Sequence, residues 1–162
     1  MNRVQTFLNP SQNSNTSSYQ LQQSLIAIGS GGMFGRGVGQ SIQKFNYLPE
    51  PQGDSIFAVI GEELGFVGSV LVVCLFIAFA FRGYRIALLA PDSFTKMLVI
   101  GFITLMTVQS FMNIASITGV FPLTGVPLVF ISQGGTSLLL ALGMVGIILN
   151  ISSHGKKSLV EK

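Results

Sequence analysis

The chain has 162 residues, of which 9% are charged and 49% apolar, with a mean hydropathy of +0.63. An ordinary soluble domain is about 25% charged, so these few charges cannot cover a water-facing surface and a soluble globular domain is excluded. The net charge of +3 and pI near 9.3 arise without a basic patch interleaved with aromatics, which removes nucleic acid as a partner.

In chain order, residues 1–18 form a polar lead rich in Asn, Ser, Gln and Thr that reads as loop. The N-terminal apolar core is too short for a signal peptide. Over residues 19–28, Leu21, Leu25 and Ile28 fall at i, i+4 and i+7, which predicts a short one-sided, amphipathic helix. A glycine-dense stretch follows, Gly29-Ser30-Gly31-Gly32-Met33-Phe34-Gly35-Arg36-Gly37-Val38-Gly39. It holds neither G-x-G-x-x-G nor G-x-x-x-x-G-K-[ST], so it reads as a turn-rich, close-packing segment at the membrane surface rather than a phosphate cradle.

A spanning helix needs about 20 mostly apolar residues. Residues 64–81 and 97–154 contain no Asp, Glu, Lys or Arg and leave room for three spans, at 55–81, 97–119 and 134–151. Arg82 and Arg85 end the first, and Pro91-Asp92 marks a short hydrophilic turn. The third apolar stretch, 126–151, is interrupted by Ser132-Gln133-Gly134-Gly135, so its continuous helix is expected near Thr136. A polar, glycine-rich break at membrane depth is tolerated only where protein or water lines it, which points this one at a cavity or the bundle interior. The fold class is therefore an all-α integral membrane protein: a large extracytoplasmic loop (1–54), three transmembrane helices (55–154) and a basic tail (155–162). The turn after the first span and the tail carry six basic residues, Arg82, Arg85, Lys96, Lys156, Lys157 and Lys162, against three elsewhere, Arg3, Arg36 and Lys44. The excess places the C-terminus in the cytoplasm.

Three carboxylates stand out. Asp54 lies at the outer mouth of the first span, where it suits two compatible roles: helix N-cap, or general base taking a proton from an attacking hydroxyl. Glu62 and Glu63 lie inside that span, with Glu62 roughly 12 Å deeper than Asp54. Carboxylates there are costly, so they mark a functional group or a buried polar contact, and being about 100° apart on the helix they do not face one site. Gln109 and Asn113, one turn apart on the second span, fit interhelical hydrogen bonding. His154 reads as an interfacial anchor, and Cys74 as a small apolar residue. No Cys/His set has metal-ligand spacing.

Several ordered motifs resemble one family. Tyr19-Gln20-Leu21-Gln22-Gln23-Ser24-Leu25-Ile26-Ala27-Ile28-Gly29-Ser30-Gly31-Gly32 is similar to the large outer loop of the SEDS proteins (FtsW, RodA and SpoVE). Tyr47-Leu48-Pro49-Glu50-Pro51 with Asp54, Ile56-Phe57-Ala58 and Gly61-Glu62-Glu63-Leu64-Gly65 resembles their loop-to-helix motif. Thr118-Gly119, Pro122, Gly125-Val126-Pro127-Leu128 and Phe130-Ile131-Ser132 resemble their last outer loop, and Leu149-Asn150-Ile151-Ser152 the end of their last helix. The likeness is nearer to the FtsW/SpoVE branch than to RodA. It departs at Gln52-Gly53, where the family often has His-Thr, at Gln133, usually Tyr, and at Val129, commonly Pro. These departures bear on the fine geometry around Asp54 and the last loop.

The resemblance implies a peptidoglycan glycosyltransferase of the bacterial cytoplasmic membrane, one that polymerises lipid II and releases the polyprenyl pyrophosphate. It implies that this chain is the C-terminal part of a bundle of about ten spans, inactive alone. It places the family's essential loop carboxylate on Asp54 and substrate contacts on Glu50, Ser132, Gly134 and Gly135. It also implies an assisting divalent cation (Mg or Mn), a class B penicillin-binding protein as transpeptidase partner, and the membrane proteins of the divisome or elongasome. Two other functions stay open: a lipid II flippase or transporter, suggested by Glu62, Glu63 and the broken third span, and a non-catalytic scaffold for the transpeptidase, suggested by Gln109 and Asn113.

Overall fold

The computed structural model describes residues 16–41 and 53–160, with side chains over 18–41 and 53–153; Glu50 and the 47–51 motif lie outside the described residues. All regular structure among the described residues is helical: α1 (Thr16–Gly31), α2 (Ile56–Leu88), α3 (Ser93–Ile117) and α4 (Gly135–Val160). α2, α3 and residues 135–153 of α4 are long and apolar enough to cross a membrane.

Helix ends and apolar windows do not coincide. α2 continues through Arg82 and Arg85 to Leu88, because a basic residue stops a hydrophobic window without stopping a helix. The Arg85 guanidinium lies 5.7 Å from the Phe81 ring centroid, over its face. α3 begins at Ser93, before the apolar run at Met97, because Asp92 caps it: its backbone is extended and its carboxylate accepts the Thr95 N–H at 3.3 Å. α4 begins at Gly135, where the Gly134 carbonyl accepts the Leu138 N–H and the Ser137 hydroxyl.

α2 and α3 pack as an antiparallel pair through Val72, Phe76, Gly83 and Ala87 on one side and Val99, Ile103 and Met106 on the other. Gly83 lets Ile103 close onto the α2 backbone. α4 joins this core through Ala141 and Ile148, and Phe79 meets Phe130 edge-on at 5.6 Å between centroids. The outer faces of α2 and α4 stay apolar and exposed, among them Phe66, Leu71, Leu75, Leu139, Leu140 and Leu149. A patch of that size is foreign to a water-facing surface and normal for a lipid-facing or helix-facing one.

α1 buries a different face from the one its leucines suggest. Ser24 and Ala27 are fully buried, as is Gly31, while Leu25 and Ile26 are 44% and 52% exposed. Small residues let backbones approach closely: Gly31 sits against Gly61, and Ile28 of the same helix packs on Gly61 as well. Leu21 and Leu25 reach instead over Gly119 at the end of α3. The leucine spacing predicted the inner face from apolar bulk, whereas close backbone approach to α2 through small residues sets it.

α1 runs beside the first turns of α2 in the same direction, with Gln20 at residues 54–55 and Gly31 at residues 61–62. The two are joined where α2 is broken. Gly65 has φ 70° and ψ −164°, a conformation available essentially to glycine alone. In an unbroken helix the N–H groups of Phe66 and Val67 would bond the carbonyls of Glu62 and Glu63. Here all four groups turn to the glycine-dense segment after α1. Phe66 and Val67 donate to the carbonyls of Gly32 and Met33 at 2.9 and 3.2 Å. Arg36 and Gly37 donate to the carbonyls of Glu62 and Glu63, both at 3.0 Å. A Cβ at Gly65 would also lie 2.8 Å from the Met33 carbonyl oxygen. The close packing expected of residues 29–39 is thus directed at one point, about 14 Å along α2 from its start. Gly65→Ala is expected to cost about 1–3 kcal/mol through strain at this position. The loss would appear as a lowered thermal midpoint in detergent, and an unchanged midpoint would contradict it.

Candidate functional site

Asp54 sits in the turn that leads into α2. It is not the N-cap: Ser55 holds that position, with no side-chain capping bond. The sequence suggested a cap because Asp before a helix usually makes one. Here the carboxylate is drawn off by a longer-range partner. Oδ1 accepts from Gln20 Nε2 of α1 at 3.0 Å and from the Ser55 hydroxyl at 3.2 Å, while Gln20 Nε2 also reaches Ser55 Oγ at 2.9 Å. The residue is only partly buried, and Oδ2 has no hydrogen-bond partner among the described residues.

The main chain of Asp54 is held from a third direction. Asn113 Nδ2, on α3, donates to the Asp54 carbonyl at 2.8 Å and to the Val126 carbonyl at 2.7 Å. Gln109, one turn earlier, donates to the Pro127 carbonyl at 3.2 Å. The polar face of α3 therefore bonds loop backbone rather than the side chains of other helices. It fastens the start of α2 and the α3–α4 connection to one helix.

That connection closes on itself. The Ser132 hydroxyl accepts the Leu128 N–H at 2.8 Å, and the Ser132 N–H donates to the Leu128 carbonyl at 3.0 Å. Phe130, between them, has φ 67°, uncommon for a bulky residue and so a sign of local strain. Ser132, Gln109 and Ser137 supply the polar groups of a cavity of about 270 Å³, otherwise walled by apolar residues such as Met106, Phe130 and Met144. The polar break of the third apolar stretch does border a cavity, through Ser132. Gly134 and Gly135 form the start of α4 and are not among the cavity's walls. None of Ser132, Gly134 and Gly135 is hydrogen-bonded to Asp54.

Glu62 and Glu63 part company, as their angular separation requires. Glu62 is fully buried. Ser41 donates its hydroxyl to Glu62 Oε2, and Arg36 Nη1 lies 3.8 Å from Oε1. Both partners belong to the segment whose backbone fills the break at Gly65, so this carboxylate fastens that segment a second time. Glu63 is partly buried, and its Oε1 is enclosed without a hydrogen-bond partner among the described residues. Among the described residues no three His, Cys, Asp or Glu groups gather. Gln20 turns an N–H donor, not an oxygen, towards Asp54. A divalent cation is held by several oxygens, and the described residues around Asp54 do not form a cage of that kind.

Reading residues one at a time overlooked Gln20, Ser55, Arg36 and Ser41 as members of this constellation. The one available signal was a glutamine in the first motif, ahead of a run of small and apolar residues. Nothing local shows that it meets Asp54, 34 positions away.

A family profile described as "Cell cycle protein" (FtsW/RodA/SpoVE) matches residues 1–157. The chain is 48% identical over 154 residues to the stage V sporulation protein E of Bacillus subtilis, covering 95% of this chain and 42% of that protein. It is 42% identical over 154 residues to a probable peptidoglycan glycosyltransferase FtsW of Geobacter metallireducens, covering 95% of this chain and 41% of that one. A solved structure titled "Structural coordination of polymerization and crosslinking by a peptidoglycan synthase complex" superimposes with a TM-score of 0.78 at 27% identity, over 95% of this chain and 41% of its own. The chain thus spans about two fifths of the length of the relatives it matches. With a match over almost its entire length, this membrane protein belongs to the FtsW/RodA/SpoVE family of cell cycle proteins.

Proposed function

We propose that this chain is the C-terminal, acceptor-activating part of a membrane-embedded peptidoglycan glycosyltransferase that polymerises lipid II. One observation carries the reading: Asp54 has one carboxylate oxygen held by two donors and the other without a hydrogen-bond partner among the described residues, at the mouth of an apolar helix. The names of the relatives support the reaction class. In this reading Oδ2 accepts the proton of a sugar hydroxyl as that oxygen attacks the anomeric carbon of a second lipid-linked sugar. The glycosidic bond forms, the bond to the pyrophosphate breaks, and the polyprenyl pyrophosphate departs. Positioned general bases contribute about 10²–10⁴-fold.

The substrate contacts proposed for Ser132, Gly134 and Gly135 are indirect in this reading: they shape the loop and cavity beside the site, while Glu50, four positions before Asp54 in the sequence, keeps the substrate contact that the resemblance implies. The basic residues after α2 and in the tail support an outward-facing Asp54 and a cytoplasmic C-terminus in the bacterial cytoplasmic membrane. The remaining spans and a class B penicillin-binding protein would cover the exposed apolar faces of α2 and α4.

The test restores the complete polypeptide in proteoliposomes. Asp54→Asn is expected to lower lipid II polymerisation by at least about 10²-fold, while wild-type polymer would sink the catalytic role. The flippase alternative makes Glu62 the critical group. Because Glu62 clasps Arg36 and Ser41, Glu62→Gln is expected to lower the thermal midpoint. A stable Glu62→Gln protein that has lost lipid II translocation while polymerising normally would favour transport instead.

A further inference from the structure

We propose that Gln20 is a positioning residue for the reaction: its side-chain amide sets the orientation of the Asp54 carboxylate, so that the oxygen it does not hold faces the acceptor hydroxyl. The inference rests on the reading of Asp54 as general base and adds a residue to it. A carboxylate at the end of a two-carbon side chain turns about its last bond through a broad, roughly two-fold well. Left free, the carboxylate plane would swing within that well and spoil the line between base, proton and attacking oxygen. Oδ1 is occupied by Gln20 Nε2 at 3.0 Å and by the Ser55 hydroxyl at 3.2 Å. Swinging the plane out of this orientation would break both bonds, and a half-turn merely exchanges two equivalent oxygens, so one oxygen is always turned away from Gln20 and Ser55.

The two donors differ in what holds them. Ser55 is the neighbour of Asp54 on the same turn, so its hydroxyl ties the carboxylate only to the start of α2. Gln20 stands on α1, another element, and bridges Asp54 and Ser55 from there. α1 in turn is keyed to α2 by the contact of Gly31 with Gly61 and by the four backbone bonds at Gly65. Asn113 completes the frame by holding the Asp54 carbonyl from α3. The main chain is thus fixed by one helix and the carboxylate by another. Gln20 itself touches no reacting atom, which separates it from a catalytic residue.

The experiment is steady-state lipid II polymerisation by the complete polypeptide in proteoliposomes, comparing wild type, Gln20→Met and Asp54→Asn. Methionine keeps the length and bulk of the side chain and loses the donor. Gln20→Met is expected to lower kcat by about ten- to a hundredfold, with KM within about twofold and the thermal midpoint unchanged. A merely structural Gln20 would lower the midpoint and leave the kcat of the folded fraction at the wild-type value, and that result overturns the proposal. A raised KM at unchanged kcat also overturns it, by making Gln20 a substrate contact. Should Gln20→Met fail to fold, Gln20→Leu removes the donor at similar bulk without adding a charge beside Asp54 and carries the same expectation in kcat and KM. Wild-type kcat in Asp54→Asn overturns the parent reading and this one together. An inactive Asp54→Asn beside a wild-type Gln20→Met overturns the positioning role alone.

Discussion

The break in α2 at Gly65 is the constraint on which the rest depends. Interrupting a helix leaves two carbonyls and two N–H groups without intrahelical partners. In an apolar helix such groups cost several kcal/mol each when left unpaired. All four are paired by the segment after α1, which therefore cannot leave α2 without exposing them. The glycines on both sides follow from this: a side chain at Gly35 or Gly65 would stand where the opposing backbone runs. The buried Glu62 fastens the same segment through Arg36 and Ser41. A carboxylate inside an apolar helix, which invites a transport hypothesis, here has a sufficient structural reason.

From that anchor the geometry propagates to the site. With α1 fixed against α2, Gln20 is delivered to Asp54, near the opposite end of the same helix pair. With α3 packed antiparallel on α2 through Gly83 and Ile103, Asn113 arrives at the Asp54 carbonyl and at Val126. The start of α2 and the α3–α4 connection thus hang from a single asparagine. Its own carbonyl oxygen is buried without a hydrogen-bond partner among the described residues, so the side chain is committed to its donors. A carboxylate fixed through both main chain and side chain is preorganised, and preorganised groups need no rearrangement at the moment of reaction.

Membrane context explains where side-chain patterning misleads. In water, the largest apolar residues of a surface helix mark its buried face. In α1 they do not: Ser24, Ala27 and Gly31 are inside, while Leu25 and Ile26 are largely outside. In α1 the approach of its backbone to α2 at Gly31 and Gly61 decides the packing, and in the spans lipid tails and neighbouring helices are as apolar as leucine, so little drives leucine inward. The same logic leaves the outer faces of α2 and α4 apolar and only sparsely covered within this chain.

The sequence by itself determined the helical membrane class, three apolar spans, the place of Asp54 at the mouth of the first, and the family through ordered motifs along the chain. Those properties are local: composition over some 20 residues, or short strings read in order. Tertiary structure alone decided that Asp54 is held by Gln20 rather than serving as a cap, that Asn113 reaches Asp54, 59 positions away, and that the glycine-dense segment plugs a break in α2. These depend on which elements lie side by side. Hydropathy and periodicity carry nothing on that, because a hydrogen bond between distant residues leaves no trace in the spacing of either.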